Sequence, residues 1–209
     1  MRITEIFHSI QGEGIYMGIP MIFVRTNRCN LRCRWCDSKY TFTGGEEMDL
    51  EVILKTVKDS SEKWVCFTGG EPLLQTEAPS FVRSCIDMGK KVLIETGGSL
   101  DISPYVFSES ACIDMDVKTP SSGEEKSLLR SNIDLIRNVD YLKFVISNEI
   151  DYGYSRDFVN GMNGEKNIVF QPAWGSDVKN LAEAVIRDGL NVRVMPQFHK
   201  MIWGERRGV

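Results

Sequence analysis

Three thiols stand within eight residues in Cys29-Asn-Leu-Arg-Cys33-Arg-Trp-Cys36. An odd number at this spacing cannot close into disulfides without leaving one thiol over. Thiolates this close can instead wrap one metal centre. A closed structural zinc site needs four protein ligands, and a 4Fe–4S cluster is ordinarily held by four cysteines. No fourth Cys or His lies nearby, because His8 and His199 are both distant in sequence. Two chemistries stay open: zinc completed by a distant ligand, or an iron–sulfur cluster on three protein ligands. In the second case one iron keeps an open position for a substrate or cosubstrate. Cys66, Cys85 and Cys112 sit among apolar neighbours and read as ordinary buried thiols.

Other residues could share this chemistry. Gln11-Gly-Glu-Gly14 sets the Glu13 carboxylate between glycines that let a ligand approach the backbone. The plainer alternative is a glycine turn with a solvated acid. Arg25, just before the cysteine loop, can fork onto a carboxylate or form a surface ion pair. Asp37 and Ser38 follow the last thiol and offer oxygens to magnesium or to a cosubstrate, or simply make a turn. Gly69-Gly-Glu-Pro72 ends an apolar strand, where Glu71 can accept from an ammonium group. The charged residues of Asp114-Met-Asp-Val-Lys118 suggest a ligand rim at a strand end. The aromatic and basic tail, Gln197 to Val209, either folds back over a site or docks on the surface.

The elements that must position these groups follow from pattern. Strands are expected over 1–7, 21–26, 64–68, 91–96, 111–118, 139–146, 166–171 and 190–195. Helices are expected from Asp49 as N-cap, from about Pro79 to Met88 with Gly89 as the stop, and over 150–160. A further helix carries the stripe Val178, Leu181, Ala182, Val185 and Ile186, stopped by Gly189. Leu129, Ile133 and Ile136 give a shorter stripe, and 99–110 has no clear pattern. Alternation of strand and helix from residue 46 onward predicts an α/β fold with a mostly parallel sheet. All C-terminal strand ends then share one rim with the cysteine loop, at 27–45, and the tail, at 197–209. A chain of 209 residues suits one domain over 1–209, and is short for a full eightfold barrel.

Composition narrows the function class. Lys and Arg number 25 against 29 Asp and Glu, a formal charge of −4, which is no footprint for gripping nucleic acid. Nothing reads as a signal peptide or a membrane span, so no membrane partner is expected. Six cysteines without an export signal fit a reducing cytoplasm.

The cysteine spacing, with Trp35 before the last thiol, resembles the signature of the radical S-adenosylmethionine (SAM) superfamily. Gly69-Gly-Glu71 resembles the element that holds the SAM amino group there. That resemblance implies a partial, incomplete parallel α/β barrel and a 4Fe–4S cluster whose open iron binds SAM and cleaves it to a 5′-deoxyadenosyl radical. Further motifs are similar, over nearly the whole length, to the 7-carboxy-7-deazaguanine synthase family. They are Glu5 to Gly14, Phe23-Val-Arg25, Cys36-Asp-Ser38, Phe67 to Pro72, Glu95-Thr-Gly97, Gln171-Pro172 and Gln197-Phe-His-Lys200.

The family resemblance implies a magnesium-assisted ring contraction of 6-carboxy-5,6,7,8-tetrahydropterin to 7-carboxy-7-deazaguanine, losing ammonia, as in queuosine and other 7-deazapurine biosynthesis. It implies substrate contacts at Ile10, Gln11, Gly12, Glu13, Arg25 and Thr68, and at the C-terminal Val209. It places the cluster on Cys29, Cys33 and Cys36, and magnesium on Ser38, where the family commonly has Thr. SAM would meet Trp35, Asp37, Gly70 and Glu71, then Asp116, Val117 and Lys118, and finally Gln171, Pro172, Ala173 and Trp174. An electron donor such as flavodoxin or ferredoxin and a homodimer are implied as partners. Two rivals stand beside this reading: an activase that makes a glycyl radical on a partner enzyme, and a non-enzymatic zinc-binding module.

Overall fold

A computed structural model describes residues 1–209. One nine-stranded sheet runs through the chain: β1 (Arg2–Ile10), β2 (Pro20–Thr26), β3 (Glu46–Glu47), β4 (Trp64–Gly69), β5 (Lys91–Thr96), β6 (Ala111–Asp116), β7 (Tyr141–Ile146), β8 (Ile168–Pro172) and β9 (Arg193–Val194). The spatial order is β3-β1-β2-β4-β5-β6-β7-β8-β9. β1 pairs antiparallel with β2 and β3. Every pairing from β2 to β9 is parallel. β4 is added beside β2, and from β5 onward each strand lies beside its predecessor, so the sheet grows in one direction, as in a barrel. The sheet does not close. Its edges are the two-residue strands β3 and β9, so it is a partial barrel.

The helices α1 (Leu50–Asp59), α2 (Ala78–Asp87), α3 (Ser131–Leu135), α4 (Glu149–Asn160), α5 (Val178–Arg187) and α6 (Phe198–Trp203) complete the chain. α1, α2, α4 and α5 fall where the sequence puts helices. Ile53, Val57, Phe81, Val82, Tyr152, Leu181 and Val185 join the larger core on the outer sheet face. Asp49 is the N-cap of α1, although its side chain makes no capping bond.

Some boundaries differ from expectation. β1 runs on to Ile10 because it is paired along its length with β2. β6 stops at Asp116, and β9 keeps only Arg193 and Val194. The stripe from Leu129 to Ile136 yields only the five residues of α3, since Asn132, not Leu129, turns inward and donates to the Gly98 and Leu100 carbonyls. The tail carries α6, which no periodicity announced.

The strands' two-residue period builds the interior in layers. Met21, Phe23, Cys66, Leu93, Cys112, Tyr141 and Val169 form a small apolar cluster on the inner face. Two residues further along the same strands stand Arg25, Thr68, Glu95, Asp114, Lys143 and Gln171, and these six line a cavity. An apolar floor therefore carries a polar ring at the C-terminal strand ends.

Candidate active site

The cavity measures about 510 Å³ and opens at that rim. Its wall joins two sets of predicted residues. One set is Ile10 to Glu13, Arg25, Thr68 and Val209. The other is Cys33, Trp35, Cys36, Asp37, Ser38, Gly70, Asp116, Lys118, Gln171, Ala173 and Trp174. Cys29, Glu71, Val117 and Pro172 are not part of the wall. Cys29 is half-buried on the same loop, behind Gly70. Val117 is buried in the outer core, and Pro172 ends β8 against a separate groove.

Glu71 is buried and already satisfied. It accepts from Thr96 Oγ1 at 2.9 Å, Gly97 N at 2.8 Å and Leu73 N at 3.1 Å. Burial raises its pKa, and those donors oppose the shift. Its carboxylate thus fixes the ends of β4 and β5 against each other.

Close approach explains two glycines. A Cβ on Gly70 would stand 2.2 Å from the Arg28 carbonyl oxygen and 2.9 Å from Cys29 Cβ. The glycine pair therefore lets the end of β4 press against the cysteine loop. A Cβ on Gly12 would meet His199 Nδ1 at 2.1 Å, so the tail packs directly on the Gln11–Gly14 segment. Phe198 N donates to the Gly12 carbonyl at 2.8 Å. Gln197 Nε2 donates to Glu13 at 2.8 Å, and Lys200 Nζ lies 3.1 Å from Asp37. The tail folds back over the site and touches both sets of wall residues.

The polar ring is paired. Lys143 Nζ reaches Glu13 at 2.8 Å, Asp114 at 3.0 Å and Asp116 at 3.9 Å. Lys118 Nζ lies 3.1 Å from Asp116 and stands over the Trp35 ring. Gln11 Nε2 donates to Glu95 at 2.9 Å. Burial alone would raise Glu13, but Lys143, His199 and Gln197 hold it far below the usual carboxylate range. Burial pushes Asp114 up to about 7, and the Lys143 charge does not offset it.

Sequence motifs did not single out Lys143 as a site residue. The available signal was one Lys inside the otherwise apolar Tyr-Leu-Lys-Phe-Val-Ile strand. Phe7, Glu95, Asp114 and Gln197 were visible only within motifs, and Val145 was not singled out at all. His199 lines the cavity. His8 is exposed, beside Glu62, and takes no part.

The donor set can be tested against the expected groups. No three His, Cys, Asp or Glu side chains converge on a point fit for a single ion. Three thiols on one loop with no fourth protein ligand are the donor set of an iron–sulfur cluster that keeps one iron open. Burial raises all three thiols, Cys33 to about 11 against the opposing charge of Lys118. A bound metal would hold them as thiolates. Trp35 Nε1, Asp114 Oδ1, Asp116 Oδ1, Gln171 Oε1 and Gln197 Oε1 are buried without hydrogen-bond partners. Such orphans on a cavity wall fit a large polar ligand that would satisfy them.

Comparison with known proteins agrees. A family model described as the Radical SAM superfamily matches residues 23–112. A 7-carboxy-7-deazaguanine synthase of Thermoplasma acidophilum is 54% identical over 209 residues, covering all of both chains. Another, from Koribacter versatilis, is 41% identical over 228 residues, again covering all of both. Among solved structures, QueE from Escherichia coli matches with a TM-score of 0.78 at 23% identity, over 95% of this chain and 94% of that one. Streptococcus suis SuiB bound to S-adenosylmethionine matches with a TM-score of 0.57 at 15% identity, over 80% of this chain and 48% of that one. These structural matches speak to the fold.

Proposed function

The chain belongs to the 7-carboxy-7-deazaguanine synthase family of the radical SAM superfamily, and from that membership we propose how its residues divide the work. It is a radical SAM lyase that contracts 6-carboxy-5,6,7,8-tetrahydropterin to 7-carboxy-7-deazaguanine with loss of ammonia. When bound, the cluster and SAM supply the radical chemistry that opens the reaction.

Cys29, Cys33 and Cys36 hold the cluster. Trp35, Asp37, Gly70, Asp116, Lys118, Gln171, Ala173 and Trp174 form the SAM side of the cavity. The unpartnered Trp35 Nε1, Asp116 Oδ1 and Gln171 Oε1 support this assignment. Glu71 acts from behind, by tying Thr96 and Gly97 to the end of β4. Arg25 receives the pterin carboxylate, while Ile10 to Glu13, Thr68 and Val209 surround the ring. Ser38, with Oγ 3.0 Å from Asp37 Oδ1, offers magnesium a single hydroxyl ligand beside a carboxylate. That suits a cation that keeps most of its coordination for water and substrate. The tail excludes water from above, which protects a reactive intermediate from side reactions.

The observation that carries this division is the single cavity shared by both sets of residues. We further propose a one-electron donor such as flavodoxin or ferredoxin, a homodimer and a cytoplasmic setting. No helix is long and apolar enough to cross a membrane. No observation favours the activase or the zinc module.

The test is anaerobic reconstitution, reduction and incubation with SAM, magnesium and 6-carboxytetrahydropterin, followed by mass spectrometry. Formation of 7-carboxy-7-deazaguanine, abolished in Cys33→Ala, is the expected result. SAM cleavage without that product would overturn the substrate.

A further inference from the structure

Lys143 is the most enclosed cation of the site. Its side chain is 7% exposed, and its ammonium is bounded by Glu13 from the β1–β2 connection and by Asp114 and Asp116 from β6. Glu95, on β5, completes the ring of charges that face it. Lys143 Nζ donates two hydrogen bonds, both to carboxylates, at Glu13 and Asp114, while Asp116 stands off at ion-pair distance. Those carboxylates are not equivalent. Glu13 uses Oε2 for Lys143 and Oε1 for Gln197 of the tail. Asp114 gives Lys143 only Oδ2, and its Oδ1 has no partner.

We propose that Lys143 is a positioning residue for pterin binding, which clamps the Glu13 carboxylate to the sheet and orients it toward the end of the cavity away from the cluster loop. This rests on the assignment of Gln11 to Glu13 to the pterin side. The chemistry is consistent. A pterin presents ring N–H and amino donors at the end remote from its carboxylate, and an ionised, immobile acceptor is what such an edge requires. Glu13 sits on a glycine-flanked loop with little to hold its side chain except Lys143 and Gln197. Burial raises Glu13, and Lys143 with His199 and Gln197 reverses that, whereas Asp114 beside the same ammonium remains raised. The ammonium thus bridges the two carboxylates, tying the Glu13 side chain at 2.8 Å to Asp114 of β6 at 3.0 Å.

Removing Lys143 alone would leave Asp114 buried beside Glu95 and Asp116 without that cation, a cost to folding that would mask any effect on binding. The informative variant is the double change Lys143→Met with Asp114→Asn. It removes the cation together with its deepest carboxylate and leaves Glu13 as the unpaired partner. The measurement is equilibrium binding of 6-carboxytetrahydropterin to the anaerobically reconstituted holoenzyme with SAM, from about pH 5 to about pH 8. SAM affinity and iron content serve as controls.

The expected result is pterin affinity weakened about tenfold or more, the scale of one charge-assisted hydrogen bond. The loss should deepen as pH falls, because Glu13 freed from Lys143 takes up a proton nearer neutrality. Lys143→Arg, which keeps a cation there, should recover part of the affinity. SAM binding and iron should stay at wild-type levels. Pterin affinity within twofold of wild type, with an unchanged pH profile, would overturn the inference. Failure of the wild-type enzyme to bind the pterin would instead overturn the substrate assignment on which it rests.

Discussion

Arg25 Nε donates to Glu5 Oε1 at 2.8 Å, and Tyr40 OH donates to the same oxygen at 3.0 Å. The guanidinium is thereby fixed at the cavity wall over the Phe7 ring, with its terminal nitrogens bonded to no protein acceptor. A planar fork held at one corner and free at the other is a preorganised receptor for a carboxylate. The position before the cysteine loop allowed either a surface ion pair or a ligand contact, and the structure gives Arg25 an ion pair that faces the cavity.

Arg25→Gln should therefore raise KM for the carboxypterin about 30- to 150-fold, from the loss of one charged bidentate contact of roughly 2–3 kcal/mol. Iron content and SAM binding should not change. Arg25→Lys should recover little, since an ammonium cannot reproduce the fork. Steady-state kinetics with both variants checks this, and a KM within threefold of wild type for Arg25→Gln would reject it.

Gly70→Ala should damage the cluster rather than the pterin site. The new Cβ would meet the Arg28 carbonyl oxygen at 2.2 Å, and backbone has no rotamer with which to retreat. The cysteine loop must shift, taking Cys29 with it. Iron and sulfide per chain after reconstitution should fall well below wild type while the apo-protein stays folded by circular dichroism. Full cluster loading would show that the loop adapts.

The stability of the apo-protein should carry the mark of Asp114. Its folded pKa is raised to about 7 from an ordinary 3.8. Between those values the folded state binds the proton that the unfolded chain releases. Stability from this group is therefore complete below about pH 4 and is lost as pH rises toward about 7. Glu13 acts in the opposite direction, but only below its ordinary 4.5, because its folded pKa is lowered. Thermal melts of wild type and Asp114→Asn at a series of pH values separate the two. The variant should gain on the wild type as pH rises through that window, then run parallel to it. Parallel curves throughout would mean that Asp114 ionises as freely in the fold as outside it.

Much of the chemistry was legible along the chain because it lies in contiguous segments. Cys29, Cys33 and Cys36 share one loop, so spacing alone exposed them; Gln11, Gly12 and Glu13 are contiguous too, but it was the family resemblance of their motif that singled them out. Glu71 shows where that legibility stops. A glycine–glycine–glutamate segment is visible in sequence, yet the partners of the carboxylate are Thr96 and Gly97, one strand away. The contact that decides its task is made only when β4 and β5 pair.

The sequence by itself determined the thiol triad, the alternation of strand and helix, and hence a parallel sheet with its ligand rim at one end. These are local properties, set by residue type, spacing and period. Only the tertiary structure decided which polar residues meet inside. Register between neighbouring strands sets Glu95 opposite Asp114, and Asp116 opposite Lys143. Curling of the sheet brings Lys143 to Glu13 across 130 residues of sequence, and the returning tail brings Gln197 to Glu13 across 184. Such contacts depend on pairing and closure between distant segments. No local pattern encodes them, because each partner taken alone is an ordinary charged or amide residue.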